Sequence, residues 1–309
     1  MQLVVDILIL GAGWTSSFLT KLCNERQITY AATTRSGRDS TIKFVFDPDS
    51  DDIQPYVGLP KAAAVLITFP IIAKGASQRL VRLYTESHGD LDGGEKTKFI
   101  QLGTSSIWDG ARLRTDWPPK PTENKWYDRH SPYVKTPRAE AEDELLALSD
   151  NYPATVLNLS GLWGGARSPK NWVERTAGSK ELLKAKGSLH LIHGDDVAAA
   201  VLAVAKNFEK AQGQRWLLTD GRVYDWWDLA SAWGTPSKSA PAKSTSEPCE
   251  PQLPVDADRG PQAAWVRELM EEMDVRALPR NIETLGRALD SREFWNTFGL
   301  SPCRARIEE

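Results

Sequence analysis

An apolar run that ends in two closely spaced glycines is the feature that most constrains the fold of this chain. Residues 6–10 read Asp-Ile-Leu-Ile-Leu, and Gly11, Ala12 and Gly13 follow directly. A sharp turn after a buried strand favours Gly11, and a side chain at Gly13 would hold the backbone away from a phosphate at the next helix N-terminus. The pattern predicts the first βαβ unit of a dinucleotide-binding sheet. The residues expected at the cofactor are Gly11, Gly13, Trp14, Thr15 and Ser16, the last in place of the usual third glycine.

The end of the second predicted strand, at residues 27–32, indicates which dinucleotide is bound. About 20 residues past the glycine turn, an NAD site places an acidic residue against the ribose hydroxyls. Here the chain instead reads Thr33, Thr34, Arg35 and Ser36. A guanidinium can bind a 2′-phosphate bidentately, and the hydroxyls of Thr34 and Ser36 can add hydrogen bonds. The sequence therefore predicts NADP(H); the alternative is that Arg35 is only a solvated loop residue.

The composition sets limits on partners and location. The 309 residues carry a net charge of −3 without a basic stripe, so we expect no nucleic-acid partner. The three cysteines, Cys23, Cys249 and Cys303, are far apart and odd in number, which is typical of reduced thiols. The four histidines are scattered, which gives a metal centre no support. We expect a soluble cytoplasmic protein, because no targeting signal and no apolar run of roughly 20 residues is visible.

Apolar runs rich in strand-forming residues alternate with helical segments, which predicts an α/β protein with a doubly wound parallel sheet. Strands are expected at residues 43–46, 62–70, 98–103 and 154–159, and helices at 77–88, 138–146 and within 261–289. Open parallel sheets bind ligands at the carboxyl ends of their strands. This rule places Thr68, Phe69 and Pro70 at the cofactor.

Five short motifs occur in a characteristic order. They are residues 11–13 (Gly-Ala-Gly), 32–36 (Ala-Thr-Thr-Arg-Ser), 102–108 (Leu-Gly-Thr-Ser-Ser-Ile-Trp), 160–164 (Ser-Gly-Leu-Trp-Gly) and 192–198 (Ile-His-Gly-Asp-Asp-Val-Ala). The series resembles the extended or atypical short-chain dehydrogenases/reductases, the superfamily that includes NAD(P)-dependent epimerases/dehydratases, over about residues 4–220.

The resemblance implies one Rossmann-type domain over residues 1–309. Its core would cover about 1–160 and 188–220, and a small C-terminal substrate-binding part about 161–187 and 221–309. Residues 234–260 are dense in Pro, Ser, Lys and Glu, which predicts a flexible loop. Relatives of this type often pair through the helices after the fourth and fifth strands, so a homodimer is a further expectation.

The resemblance also implies an active site at the end of the fifth strand. In the family, a Ser or Thr there polarises a carbonyl together with a Tyr, and a Lys lowers the pKa of the Tyr and holds the nicotinamide ribose. Thr104 matches the Ser/Thr position, and Ser105 and Ser106 are near substitutes. By the same resemblance, Gly161 and Leu162 pass the nicotinamide.

The Tyr-x-x-x-Lys motif itself is absent. Pro137, which is expected to begin a helix, stands four residues after Tyr133, and neither Lys135 nor Arg138 has the helical spacing of the family's lysine. Tyr133 is one candidate proton donor, with Tyr127 or an ordered water as alternatives. An ordinary loop aromatic over a pocket is an equal interpretation of Tyr133.

Several aromatic residues fall in or near the predicted pocket loops. The residues assigned to the substrate side are Trp108, Trp163, Asn171 and Trp172. Aromatic walls favour a flat, apolar substrate, although the twelve tryptophans could instead pack the core or an interface. We interpret His193 as structural, with Asp195 or Asp196 capping the helix that follows.

These observations favour an NADPH-dependent reductase acting on a carbonyl or imine of a small substrate. A non-redox epimerase/dehydratase-like enzyme that keeps its NADP bound is one alternative. The other is a catalytically silent NADP(H)-sensing regulator, which the missing Tyr-x-x-x-Lys motif favours because a sensor needs no proton donor.

Overall fold

A parallel sheet of seven strands forms the centre of the protein. A computed structural model describes residues 4–108, 126–234, 260–304 and 307. The strands are β1 (Val4–Leu10), β2 (Tyr30–Thr34), β3 (Ile42–Lys43), β4 (Lys61–Ile67), β5 (Lys98–Thr104), β6 (Trp126–Tyr127), β7 (Ala154–Leu159), β8 (Gly161–Trp163), β9 (Ser188–Leu189), β10 (Leu191–His193), β11 (Arg215–Leu218), β12 (Tyr224–Asp225) and β13 (Ala288–Leu289). The helices are α1 (Trp14–Glu25), α2 (Gln54–Val57), α3 (Ala76–His88), α4 (Pro137–Ala147), α5 (Val173–Thr176), α6 (Lys180–Lys184), α7 (Gly194–Lys206), α8 (Trp226–Trp233), α9 (Gln262–Glu272) and α10 (Arg292–Phe298).

The order of strands in the sheet confirms the doubly wound fold. It runs β3-β2-β1-β4-β5-β7-β11, and all of these pairs are parallel. The chain moves outward from β1 to β2 and β3 on one side, and then crosses to β4 and β5 on the other. Such a switch point leaves a crevice at the carboxyl ends of the strands, where ligands of open α/β sheets bind.

Both faces of the sheet are covered by helices because its strands alternate apolar residues between the two sides. On β1, Ile7 and Ile9 pack into a core with α1, α7 and α10. Leu8 and Leu10 face the opposite core, which α2, α3 and α4 cover. A third, smaller core lies outside the sheet, where α5, α6, α8 and α9 pack around Trp226 and Trp227.

A buried polar network joins α4 to the sheet. The Glu142 carboxylate is 3% exposed. It accepts from Arg138 Nε at 3.2 Å, from Asn158 Nδ2 at 2.9 Å and from Arg215 Nη1. The network also demands a glycine on β5, because a Cβ added at Gly103 would lie 2.2 Å from Asn158 Nδ2. Two cations and an amide thus compensate the one buried carboxylate.

Two predicted elements are shorter than expected. The third strand was predicted at residues 43–46, but β3 ends at Lys43, because Phe44 turns inward against Tyr56 at a ring-centroid distance of 5.3 Å. The helix predicted within residues 261–289 ends at Glu272, where Met273 closes the last turn. Most of the predicted flexible loop, residues 235–259, lies outside the described residues. Within the described ranges, no helix is long and apolar enough to span a bilayer.

Neutralising Glu142 should destabilise the fold strongly. Glu142→Gln leaves Arg138 and Arg215 without their shared carboxylate, which for a buried pair costs about 3–5 kcal/mol. The free energy of unfolding in urea measures the effect. Glu140→Gln, an exposed change on the same helix, is the control and should stay within about 0.5 kcal/mol of wild type. Equal shifts for the two variants would contradict the buried role of Glu142.

Candidate functional site

The glycine turn after β1 forms an open cradle at the sheet edge. Gly11 has a φ of +95°, and a Cβ added there would lie 2.6 Å from Thr68 Oγ1 and 3.2 Å from Phe69 Cδ1. A Cβ added at Gly13 would meet no described atom within 4 Å. Gly13 is the N-cap of α1, and no described side chain caps the helix there. Free N–H groups at a helix start in the ligand crevice suit a phosphate.

Ser16 closes this turn from within the helix. Its Oγ donates to the Gly13 carbonyl at 2.6 Å, and the side chain is buried. Thr15 is also buried. The hydroxyl of Ser16 therefore stabilises the turn where the family has a third glycine, and direct contact of Thr15 and Ser16 with a cofactor stays a prediction.

The Trp14 side chain connects the glycine turn to the loop after β8. Its indole Nε1 donates to the Gly164 carbonyl at 3.1 Å, and the Arg167 guanidinium lies 4.6 Å from the ring centroid. Gly164 and Arg167 exchange two backbone hydrogen bonds of 2.8 and 3.0 Å, which makes this loop a tight turn. Arg167 was not predicted here, since its contact with Trp14 joins residues 153 positions apart.

Of the polar residues at the end of β2, Thr34 bonds the following loop, whereas Arg35 and Ser36 are exposed to solvent. Thr34 Oγ1 accepts from the backbone of Gly37 at 2.9 Å and of Arg38 at 3.2 Å, so it shapes the loop. Arg35 and Ser36 are exposed, and Arg35 makes no ion pair with any described residue. The acid typical of an NAD site is absent at this strand end, and a free guanidinium stands close to its position.

Two threonines hold the glycine turn from both sides. Thr33 Oγ1, on β2, accepts from the Gly11 N–H at 3.1 Å, and Thr68 Oγ1, after β4, donates to the Gly11 carbonyl at 2.6 Å. The predicted cofactor contact Thr68 thus has a structural hydrogen bond. Phe69 is half-buried and Pro70 is exposed beside it. Sequence reasoning missed Thr33, which only the register of β2 against β1 reveals.

The end of β5 presents a pair of hydroxyls. Thr104 Oγ1 and Ser106 Oγ lie 3.0 Å apart, and the Ser106 N–H donates to Thr104 Oγ1 at 3.2 Å. Ser105 is buried, and its carbonyl accepts from Arg287 Nη1 at 3.3 Å. The structure therefore brings Thr104 together with Ser106, whereas Ser105 faces the protein interior.

Tyr133 is held by charged groups. Its hydroxyl donates to the Asp143 carboxylate, and Lys135 Nζ donates to the hydroxyl at 3.1 Å. Asp143 also pairs with Arg215 Nη2 at 3.0 Å. The Tyr133 hydroxyl is thus held among charged side chains, and proton donation by it stays a prediction.

Lys135 contacts Tyr133 although the two residues lack the helical spacing of the family's Tyr-x-x-x-Lys motif. Pro137 begins α4, and the Thr136 hydroxyl caps it by accepting from the Ala139 N–H at 3.1 Å. Both Tyr133 and Lys135 are therefore in the preceding loop, where residues two apart can meet. Hydrogen bonds to Asp143 and Tyr133 raise the pKa of Lys135, which keeps its ammonium charged.

The predicted nicotinamide contacts lie on β8, which pairs with β10 in a separate two-stranded sheet. The Gly161 N–H donates to the His190 carbonyl at 2.9 Å, and Leu162 pairs in parallel with Ile192. A Cβ added at Gly161 would lie 2.8 Å from Leu191 Cδ2, so the close approach of β8 and β10 requires a glycine. Both Gly161 and Leu162 remain half-buried, and their contact with a nicotinamide stays a prediction.

The four residues assigned to the substrate lie in different surroundings. Trp108 is 1% exposed and packs with Ile107, with its indole N–H donating to the Ser131 carbonyl at 3.1 Å. Trp163 and the half-buried Trp172 belong to another apolar cluster. Asn171 is exposed. Trp108 is thus a core residue in this structure, and no single wall combines all four.

His193 is structural, as predicted, but the cap of α7 was assigned to the wrong residue. The N-cap is His193 itself, whose Nδ1 accepts from the Asp195 N–H at 3.1 Å. Burial lowers the pKa of His193, which keeps the imidazole neutral and able to accept. Asp196 instead accepts from the Cys303 N–H at 2.7 Å, more than 100 positions along the chain.

Solved structures of other proteins share the fold of this chain. No protein-family model and no curated protein sequence matches the chain. A putative NAD-dependent epimerase/dehydratase from Methylobacillus flagellatus is similar in structure, with a TM-score of 0.56 and 14% identity over 98% of this chain and 94% of that chain. Yeast methylglyoxal/isovaleraldehyde reductase Gre2, in complex with NADPH, is similar with a TM-score of 0.55 and 13% identity, over 96% of this chain and 93% of that chain. A UDP-galactose 4-epimerase is similar with a TM-score of 0.56 and 12% identity, over 98% of this chain and 95% of that chain.

At these identities the similarity defines the fold. The chain has the Rossmann-type fold of extended short-chain dehydrogenases/reductases, over nearly its whole length and that of the matched structures. The fold that the five sequence motifs implied is thereby confirmed.

A buried carboxyl at the same sheet edge should make stability depend on pH. Burial raises the pKa of Asp220 to about 7, against hydrogen bonds from the Tyr224 hydroxyl and the Arg222 N–H that lower it. Since the unfolded value is about 3.9, the folded protein binds the extra proton, and stability falls as pH rises from about 4 to about 7. Asp220→Asn should flatten this part of the profile of unfolding free energy against pH. Asp150→Asn, at an exposed site, is the control and should leave the slope unchanged; a wild-type slope in Asp220→Asn would refute the assignment.

Proposed function

We propose that this chain is an NADP(H)-dependent oxidoreductase of the atypical short-chain dehydrogenase/reductase superfamily, reducing a carbonyl or imine of a small, apolar or aromatic substrate. The observation that carries the proposal is the nucleotide cradle. The uncapped glycine turn supports a diphosphate, and the neighbouring strand end offers the exposed Arg35 where an NAD enzyme has an acid. The NADPH bound to yeast Gre2 is consistent with this choice of cofactor.

The residues at the end of β5 fit the second half of the proposal. When bound, NADPH supplies a hydride for the carbonyl or imine carbon. The hydroxyls of Thr104 and Ser106 would donate to the oxygen or nitrogen on which negative charge develops, and so lower the barrier. A water would deliver the proton, because the Tyr133 hydroxyl already donates to Asp143. The products are the alcohol or amine and NADP⁺.

The second candidate function is a catalytically silent NADP(H) sensor. One observation favours it: the tyrosine nearest to the family's motif already donates its hydroxyl hydrogen to Asp143 and is bonded to Lys135. A sensor would keep the nucleotide cradle and need no proton donor. Nucleotide binding without turnover of any substrate would support the sensor over the reductase.

Arg35 should select NADPH over NADH. Arg35→Ala removes the charge at the 2′-phosphate and should weaken NADPH binding by roughly tenfold or more, without changing the affinity for NADH. Titration by quenching of tryptophan fluorescence measures both constants. Arg175→Ala removes another exposed arginine, on α5, and serves as the control. An unchanged NADPH affinity, or an equal loss for both nucleotides, would argue against a 2′-phosphate site at Arg35.

Thr104 should contribute to turnover and not to nucleotide binding. Thr104→Val keeps the side-chain shape but removes the hydroxyl, and should lower kcat by roughly 100-fold or more, the usual effect of one oxyanion donor. Oxidation of NADPH, followed by absorbance across a panel of aldehydes, ketones and imines, measures turnover. Thr85→Val, at a half-buried threonine of α3, is the matched control. If Thr104→Val turned over at the wild-type rate, Thr104 would have no part in the chemistry.

A further inference from the structure

A buried histidine just before β10 has a hydrogen-bond donor that no described residue uses. His190 is 2% exposed, and its Nε2 accepts from the Leu289 N–H at 3.0 Å. A neutral imidazole carries one ring hydrogen, so an accepting Nε2 places that hydrogen on Nδ1. Nδ1 has no partner among the described residues. Burial, with the charge of Arg287 as a second cause, lowers the pKa of His190 to about 3, so the imidazole stays neutral and keeps this donor.

The hydroxyl of Ser160 lies beside His190 and is also without a partner in the described part of the chain. Ser160 is 6% exposed, and its Oγ makes no hydrogen bond there. The next residue, Gly161, donates its N–H to the His190 carbonyl at 2.9 Å and pairs in parallel with Leu191. Ser160 and His190, one position earlier, are therefore cross-strand neighbours, and their side chains leave the two strands on the same side.

Two neighbouring buried polar groups of this kind form a site for a water molecule. Adjacent strands are about 4.8 Å apart, and a water with two hydrogen bonds of about 2.8 Å each connects atoms at that separation. Buried polar groups of folded proteins are nearly always hydrogen-bonded, to protein or to ordered water. Internal waters make about three hydrogen bonds. The His190 N–H and the Ser160 hydroxyl supply two of them, which leaves the water able to donate to a third group.

The position of Ser160 relates this site to the end of β5. Thr104, the last residue of β5, pairs with Leu159 on β7, and Ser160 follows Leu159 directly. The site is therefore about one strand spacing from the strand end that carries the Thr104 and Ser106 hydroxyls. A substrate atom bound by those hydroxyls would be within reach of a hydrogen of the water.

We propose that Ser160 and His190 hold the water that protonates the reduced substrate. The inference rests on the proposed function, because it needs a carbonyl or imine bound at the end of β5. Once hydride has reached the carbon, the substrate oxygen or nitrogen carries negative charge. It takes a proton from the water as one O–H bond of the water breaks, which completes the alcohol or amine. The hydroxide that remains is stabilised by the Ser160 hydroxyl and the His190 N–H until it takes a proton from solvent.

Two substitutions separate the donor of His190 from its acceptor. Glutamine can keep an acceptor near the Nε2 position but has no donor at Nδ1, whereas asparagine can keep a donor near Nδ1 but loses the acceptor for Leu289. His190→Gln and Ser160→Ala should therefore lower kcat by roughly tenfold or more and raise the solvent isotope effect on kcat in deuterium oxide, with unchanged affinity for NADPH. His190→Asn should keep the kcat of the wild type and unfold at a lower urea concentration.

Ser188→Ala is the matched control. The Ser188 hydroxyl also has no partner among the described residues, but it belongs to β9, two positions before His190. Its removal should leave kcat and the solvent isotope effect unchanged. Turnover is followed by NADPH absorbance with the panel of aldehydes, ketones and imines, and NADPH affinity by quenching of tryptophan fluorescence.

The outcomes separate this inference from the proposed function. If the wild type reduces no member of the panel, the proposed function fails and the inference with it. If the wild type reduces a substrate while His190→Gln and Ser160→Ala keep its kcat and isotope effect, only the inference is overturned. Equal losses of kcat in His190→Gln and His190→Asn would also overturn it, because altered packing would then explain both.

A crystal structure of the wild type provides a measurement that does not depend on turnover. Electron density for a water within about 3.2 Å of both Ser160 Oγ and His190 Nδ1 is expected. A direct hydrogen bond between the two side chains, with no water between them, would contradict the inference.

Discussion

The turn after β1 depends on two threonine hydroxyls that reach it from neighbouring strands. Thr33 accepts from the Gly11 N–H and Thr68 donates to the Gly11 carbonyl, so both polar groups of Gly11 are satisfied by the protein. The positive φ and the missing Cβ of Gly11 follow from this close approach. A turn fixed in this way is organised before any ligand arrives, which lowers the entropic cost of binding.

The polar network under α4 includes Tyr133, the tyrosine that the sequence offered as a proton donor. Glu142 and Asp143 share Arg215, and Asp143 also engages Tyr133 and Lys135. These contacts place the tyrosine hydroxyl within a set of structural ion pairs. Tyr133 thus stabilises the junction of α4 with the edge strand β11.

Patterns that depend on neighbouring residues were predictable from the sequence. The central strands, the glycine turn and the start of α4 at Pro137 follow from local periodicity, glycine and proline, and the structure confirms them. The cap of α7 was not predictable, because Asp196 is engaged by the distant Cys303 backbone and leaves His193 as the cap.

The candidate site was predictable in its outline but not in its contacts. The motifs located the strand ends, yet the pairing of Thr104 with Ser106 depends on the turn that follows β5. The contact between Tyr133 and Lys135 was not predictable, because both residues lie in a loop, where the spacing rule for helices does not apply. The bridge from Trp14 to Gly164 joins segments that sequence periodicity cannot relate.

The two halves of the crevice differ in a way that bears on how a dinucleotide would bind. On the β2 side, Arg35 is exposed and the rings of Phe46 and Phe69 are partly open. On the other side, the Trp14 indole is already bonded to the loop after β8. Under the proposed function, the charge of Arg35 on the open side would contribute to affinity for the dinucleotide, and the hydroxyls at the end of β5 would contribute to the chemistry. The proposed nucleotide binding and the proposed reduction therefore depend on different strand ends.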